Sequence, residues 1–217
     1  MNKFLSLVFS ALILTGCATT QHTPPKDLSA YKSHMPKSIL VLPPINNSPD
    51  VKATYGYWST VAVPVAEAGY YVFPLSIVDQ LFKENGITNG NDAQSIPTQK
   101  LQEIFGADAG LYTQIKEYGT QYKVIDSVST VSVEAKLVDL KTGTVLWTGQ
   151  ESVRKATSEN NSGLIAMVVS AVVNQITSSL NDHAHPLSMN VNNQLFTPTQ
   201  DQQHGLLVGP RSPKFQQ

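Results

Sequence analysis

The hydrophobic and polar positions of the chain follow distinct periods, and each period predicts a different kind of element. Residues 38–42 form a short, continuously apolar run stopped by Pro43 and Pro44, which is typical of a buried central strand. Apolar residues recur at helical spacing in four further segments. The sequence therefore predicts helices over residues 58–68, 74–85, 98–105 and 162–180.

Residues 70–73 are rich in aromatic side chains and predict a second strand. From Gly110 onward the period changes to two, which predicts three antiparallel strands over residues 111–118, 130–140 and 145–152. Residues 139–143 form the hairpin turn between the last two, with Gly143 free to adopt a positive φ. Residues 88–95 and 119–129 are predicted to be a loop and a polar connector.

The first sixteen residues have the pattern of a secretory signal rather than of a folded element. Lys3 supplies a positive charge, residues 4–14 form an apolar stretch, and Leu14-Thr15-Gly16-Cys17 follows. A membrane-spanning helix would need about 20 such residues. Leu14 to Cys17 resembles the lipobox of bacterial lipoproteins, which implies diacylglycerol transfer to the Cys17 thiol, cleavage between Gly16 and Cys17, and acylation of the new amino group.

This signal divides the chain into four parts. Residues 1–16 are the lipoprotein signal peptide, residues 17–37 a lipidated tether and residues 38–182 the α/β domain. Residues 183–217 are predicted to be an extended or poorly ordered polar tail, with packing on the domain near residues 206–208 as an open alternative. Each buried CH₂ contributes about 0.8 kcal/mol, so about two acyl chains on Cys17 anchor the protein without a transmembrane segment. By resemblance to the lipoprotein sorting rule, Ala18 in place of Asp favours the outer membrane.

Composition narrows the function classes. Charged residues make up 14% of the chain, against about 25% in a typical protein, and the net charge is −1. A nucleic-acid binder would show a basic patch or stripe, and none is present in the sequence. Cys17 is the only cysteine, so an intrachain disulfide and a multi-cysteine zinc site are excluded, and lipidation would remove the one thiol nucleophile.

The order of short motifs along the chain resembles a known group of envelope proteins. Its typical members are the curli secretion protein CsgG, the lipoprotein LpoB and the N-terminal domain of TolB. Within that group the chain is most similar to a family of outer-membrane lipoproteins known from meningococcal antigen surveys. The motifs that carry the resemblance are Ser38-Ile-Leu-Val-Leu-Pro-Pro44, Ala68-Gly-Tyr-Tyr-Val-Phe-Pro74, Asn85-Gly86, Phe105-Gly-Ala-Asp108, Leu137-Val-Asp-Leu-Lys-Thr-Gly143, Leu146-Trp147, Gly163-Leu-Ile-Ala-Met167 and Gly209-Pro-Arg211.

The resemblance implies a mixed sheet with helices on its faces, an outer-membrane address and no established enzymatic activity. It also implies a place in a secretion or surface assembly with a CsgG-like partner. The expected function is therefore that of a non-catalytic, periplasm-facing lipoprotein, anchored in the bilayer through Cys17, that binds other envelope proteins. A homo-oligomer is an open alternative, and no cofactor is expected.

One segment suggests chemistry of a different class. Asp182-His183-Ala184-His185 places two imidazoles two residues apart beside a carboxylate, and these are zinc ligands. A third protein ligand would have to come from elsewhere, with His204 and His22 as the candidates. This gives a metal-dependent envelope hydrolase as the alternative function. A solvated stretch after a helix explains the same residues without a metal.

Overall fold

The computed structural model describes residues 27–122, 127–156, 184–200, 202 and 204–215. Within them one six-stranded mixed sheet has the order β3-β1-β4-β5-β6, and β2 also pairs with β4. The strands are β1 (Ser38–Val41), β2 (Ile45–Asn46), β3 (Tyr71–Val72), β4 (Ala109–Tyr122), β5 (Ser127–Asp139) and β6 (Val145–Ala156). The helices are α1 (Ser29–Ser33), α2 (Ala53–Trp58), α3 (Ala62–Glu67), α4 (Leu75–Glu84), α5 (Gly90–Ser95), α6 (Thr98–Phe105) and α7 (Ala184–Phe196).

The apolar run at residues 38–42 is the central parallel strand that its composition predicts. β1 lies between β3 and β4 and is parallel to both. Its residues Ile39, Leu40 and Val41 have no exposed surface. The start of β1 is fixed to β4 by the Asp108 carboxylate, whose Oδ2 accepts hydrogen bonds from the backbone N–H groups of Lys37 and Ser38.

The three antiparallel strands are confirmed, but they are longer than the sequence pattern suggests. β4 and β5 remain paired as far as Tyr122 and Ser127. The predicted polar connector is therefore wrong at residues 119–122 and 127–129, which belong to these strands. Residues 123–126 lie outside the described residues. Polar side chains are compatible with the ladder because its hydrogen bonds come from the backbone. The Thr120 and Ser129 hydroxyls even bond across it, at 2.7 Å. The turn at residues 139–143 is confirmed, with Gly143 at φ 76°.

The predicted helices at residues 74–85 and 98–105 are present as α4 and α6, and glycines at φ 77° (Gly86) and 67° (Gly106) follow them. Residues 58–68 are instead divided between α2 and α3, because Pro64 has no N–H to bond Thr60 and its ring would clash with that carbonyl. Residues 88–95 are not a simple loop. Asn89 Oδ1 accepts the Asp92 N–H at 2.9 Å and so caps helix α5.

Part of the predicted tether belongs to the folded domain. Residues 29–33 form α1, and Tyr31 on this helix has no exposed surface. Its hydroxyl lies 2.9 Å from that of Tyr70. The prediction that residues 27–37 are a free linker is therefore wrong. The sequence did not reveal this helix, because five residues are too few to show an apolar period.

The C-terminal region is also folded rather than a mere polar tail. Helix α7 packs one face, with buried residues at helical spacing, against β5 and β6. This face includes the polar residues Ser188 and Asn192, so the apolar residues alone do not show the helical period in the sequence. After α7 the chain runs back along the domain, where Gly209 N–H donates to the Ala68 carbonyl at 2.7 Å. Leu206 and Leu207 are buried, as expected for residues 206–208. The predicted helix at 162–180 lies outside the described residues.

Candidate interaction surfaces

The predicted anchor and three of the five residues of the predicted metal site lie outside the residues that the structure describes. These residues are Gly16, Cys17, His22, Asp182 and His183. The proposed lipidation at Cys17 therefore remains a prediction from the sequence. Among the residues described, every helix falls short of the length and apolar character that crossing a bilayer requires.

The two described histidines of the metal hypothesis have other surroundings. His185 is half-buried at the start of α7, with Nδ1 3.0 Å from the carbonyl oxygen of Gly56. His204 is exposed, and its backbone N–H and carbonyl both contact the Thr199 hydroxyl. In the described ranges, no three His, Cys, Asp or Glu side chains converge as metal ligands would. The hydrolase alternative gains no support from this part of the chain.

Several carboxylates of the described residues pair with basic, hydroxyl or amide groups. Asp79 accepts hydrogen bonds from Lys83 at 2.7 Å and from the Tyr55 hydroxyl at 3.1 Å. The bond that Lys83 donates to Asp79 raises the pKa of Lys83. Elsewhere Lys100 contacts Glu103 at 3.1 Å and Gln80 contacts Glu84 at 2.8 Å. Such pairs on exposed surfaces contribute little to stability, because water and salt screen them, and they need no catalytic explanation.

The aromatic concentration at residues 55–73 mainly fills the interior. Tyr57, Trp58 and Tyr70 are buried, as core packing predicts, whereas Tyr55 and Tyr71 are partly exposed. Burial raises the pKa of the Tyr57 and Tyr70 phenols well above the ordinary value. The buried rings of Tyr57, Trp58 and Tyr70 therefore stabilise the domain by packing in its core.

A concavity of about 530 Å³ lies on the face of the sheet opposite α7. Three glutamines line it (Gln94, Gln114 and Gln150), together with Tyr112, Glu134 and Lys136. Its charged groups already have contacts, since Lys116 lies 2.9 Å from Glu134 and Lys136 stands 5.1 Å from the centre of the Tyr112 ring. The Gln94 side-chain NH₂ is also occupied, since it donates to the carbonyl oxygens of Pro43 and Thr113, both at 2.9 Å.

β6 is the edge strand of the sheet in the part of the chain that the structure describes, and helix α1 contacts part of this strand. β6 has twelve residues and pairs only with β5, so its other side presents backbone N–H and C=O groups. The backbone N–H of Ser152 donates to the carboxylate of Glu151 (Oε1) at 2.9 Å. This bond indicates that the Ser152 N–H points away from β5. The sequence predicted this strand only as far as residue 152. The alternation of polar residues around the half-buried Val153 was the available signal for its extension.

The known proteins that this chain is similar to belong to one class, the bacterial lipoproteins. The chain is 44% identical over 209 residues to a protein of Neisseria meningitidis serogroup B named "Putative lipoprotein NMB1124/NMB1162", and the match covers 96% of each chain. It is 53% identical to lipoprotein GNA1162 from Neisseria meningitidis in its crystal structure, with a TM-score of 0.55. That match covers 65% of this chain and 99% of that one.

The family follows from a match over most of the chain. The sequence model described as "Putative lipoprotein GNA1162-like" matches residues 26–211, and the chain belongs to this GNA1162-like family. The LpoB C-terminal domain from Salmonella enterica is a distant neighbour, 15% identical with a TM-score of 0.40, covering 55% of this chain and 84% of that one. At this level of similarity, the match carries no functional argument.

Proposed function

We propose that the protein is a lipoprotein of the outer membrane whose domain acts as a non-catalytic module for binding envelope proteins. The observation that carries the proposal is the lipobox Leu14-Thr15-Gly16-Cys17 a short distance before a packed α/β domain. Membership of a lipoprotein family supports the same assignment. Cleavage before Cys17 and acylation of its sulfur and amino group would leave the domain attached by lipid alone.

The folding of residues 27–37 changes the proposed mechanism, because it shortens the tether. Among the described residues, which begin at 27, the first buried side chain is that of Leu28, eleven residues after Cys17. A fully extended chain spans at most about 3.6 Å per residue, so the domain stays within about 40 Å of its anchor. Confinement to this layer raises the effective concentration of the domain towards other membrane-bound proteins.

The proposed partners are envelope proteins, with a CsgG-like protein as the candidate that the sequence resemblance implies. By the resemblance to the lipoprotein sorting rule, Ala18 after the acylated cysteine supports an outer-membrane address. A domain that faces the periplasm is a further part of the proposal. Within the described residues, one side of β6 pairs with no further strand, which supports a binding role, since such an edge can add a strand from another chain.

The anchor can be tested by replacing its single sulfur. We expect the wild-type protein to fractionate with outer membranes and its N-terminal peptide to carry acyl chains in mass spectrometry. Cys17→Ala should abolish acylation and membrane attachment, because no thiol remains to accept diacylglycerol. The matched control is Ala18→Asp, which should keep the lipid but retain the protein in the inner membrane. An unmodified Cys17 in the mature protein would refute the proposal.

Binding of envelope proteins needs a separate measurement. Chemical cross-linking in intact cells followed by purification should recover at least one other envelope protein with the wild-type chain. Recovery should fall strongly for Cys17→Ala, because the domain loses its confinement beside the membrane. If the wild type recovers nothing above an untagged strain, the binding role is wrong, even if the anchor is correct.

A further inference from the structure

The outer half of β6 carries charges that form no ion pair within the described residues. Glu151, Arg154 and Lys155 take part in none of the three ion pairs found there. Arg154 and Lys155 are exposed, and Glu151 is half-buried. Because β6 is the edge strand among the described residues, these side chains stand beside backbone groups that bond to no further strand there.

The direction of the backbone groups defines how a further strand could pair. The Ser152 N–H donates to Glu151 Oε1 and so points outward from the sheet. In an antiparallel ladder the hydrogen-bonding direction alternates, so Arg154 also points outward while Val153 points toward β5. An added strand would therefore form hydrogen bonds with Ser152 and Arg154, and Val153 would occupy a non-hydrogen-bonded position.

We propose that β6 is a self-association surface, in which the β6 strands of two copies pair antiparallel about a two-fold axis at Val153. In this register Glu151 of each copy lies opposite Lys155 of the other, so the symmetry produces two opposite-charge pairs. The two Val153 side chains meet between them. Ser152 and Arg154 of opposite copies exchange both of their backbone hydrogen bonds.

The neighbouring registers lack this complementarity. Side chains keep their face of the sheet only if a residue lies on the axis. An axis at Glu151 would oppose two carboxylates, and an axis at Arg154 would oppose two guanidinium groups. An axis at Ser152 would place Glu151 opposite Val153. Among these registers, the one centred on Val153 pairs a carboxylate with an ammonium group.

The proposal also explains the hydrogen bond at Ser152. In a single copy, the Glu151 carboxylate satisfies the outward N–H of its neighbour. In the paired form, that N–H would donate to the Arg154 carbonyl of the second copy, and Glu151 would be released to contact Lys155. This inference deepens the proposed binding role by naming the surface and one partner, a second copy of the chain, but it does not require the lipid anchor.

A cysteine at the axis tests the pairing in the full-length protein in its own membrane. Non-hydrogen-bonded residues opposite each other are about 4.5 Å apart at Cα, which suits a disulfide. We expect Val153→Cys to give an oxidised species of twice the chain mass, in which mass spectrometry finds the two introduced thiols joined to each other. The control Ser152→Cys places its cysteines roughly 8–9 Å apart across the axis and should yield at least about tenfold less.

Charge reversal provides the second measurement in the Val153→Cys protein. Glu151→Lys should reduce the cross-linked fraction several-fold, because it sets like charges opposite each other. The double change Glu151→Lys with Lys155→Glu should restore it. Repeating both in a Cys17→Ala background separates self-association from anchoring, since the dimer should persist without the lipid.

Three results would overturn the proposal. One is equal cross-linking at positions 152 and 153, and another is a cross-linked species whose mass shows a different protein. The third is no dimer at all, which would mean that the charges serve to keep the edge unpaired. Each of these results can still be measured when Cys17→Ala abolishes membrane attachment. The self-association proposal and the lipid-anchor proposal can therefore be refuted separately.

Discussion

At the scale of single residues, one hydroxyl group joins three distant parts of the chain. Tyr70 donates to the Leu207 carbonyl at 2.7 Å, and the Tyr31 hydroxyl lies 2.9 Å from the Tyr70 oxygen. Since the Tyr70 proton goes to Leu207, Tyr31 is the donor in the second bond. The N-terminal helix α1, the central sheet and the C-terminal segment are therefore connected inside the core, where an unpaired polar group is costly.

Tyr70→Phe should destabilise the protein by about 1–3 kcal/mol, because it leaves the Tyr31 hydroxyl and the Leu207 carbonyl without this partner. Urea denaturation measures the change. The matched control is Tyr55→Phe, which removes a half-exposed hydroxyl from Asp79 and should cost less than about 0.5 kcal/mol. Equal effects of the two substitutions would show that the buried connection does not contribute to stability.

At the scale of elements, the start of helix α5 approaches the backbone at Pro44 so closely that only glycine fits at position 90. Gly90 is the first residue of this helix, and a Cβ placed there would lie 2.1 Å from the carbonyl oxygen of Pro44. Asn89 caps the helix from the preceding position. The helix is thereby seated on the segment between β1 and β2, a contact that no local sequence pattern reveals.

Gly90→Ala should therefore destabilise the domain by at least about 2 kcal/mol, although Ala is favoured over Gly by about 1 kcal/mol in ordinary helices. Gly86→Ala is the matched control, because its Cβ would meet nothing within 4 Å and only the positive φ of 77° would oppose it. That change should cost about 1 kcal/mol. Thermal unfolding distinguishes them, and a stabilised Gly90→Ala protein would contradict the close approach of this helix to Pro44.

At the scale of the whole molecule, the core contains phenols that must stay neutral. Burial raises the pKa of Tyr31, Tyr57, Tyr70 and Tyr112 above the usual value near 10. In the unfolded chain these groups ionise around pH 10. Between that pH and the raised folded-state values, the unfolded state binds fewer protons than the folded one, so alkaline conditions favour unfolding.

We expect the free energy of unfolding to carry the full benefit of neutral tyrosines below about pH 10 and to fall as the pH rises beyond it. Urea denaturation between about pH 8 and pH 11, with tyrosinate absorbance as a parallel signal, measures this. Tyr57→Phe should reduce the slope, because Tyr57 is fully buried. A flat profile across this range would contradict the burial of these rings.

The sequence by itself determined the elements whose signals are local. The apolar run of β1, the alternation along β5 and the glycine-terminated helices α4 and α6 are readable because burial on one or both faces imposes a period of its own. The lipobox is likewise a local pattern, and Cys17 remains a prediction made from it. The mixed sheet followed from the family resemblance.

Only the tertiary structure decided where the domain begins and ends. Tyr31 lies in the predicted tether, and its partner Tyr70 is 39 residues away. Ser188 and Asn192 lie in the predicted tail, where their polarity masks the helical period of α7, and Asn192 bonds Thr60, 132 residues away. The open edge of β6 was equally hidden, since strand order depends on which distant strands pair. Local propensity is encoded within a few residues, whereas burial and edge position depend on contacts between segments far apart in the chain.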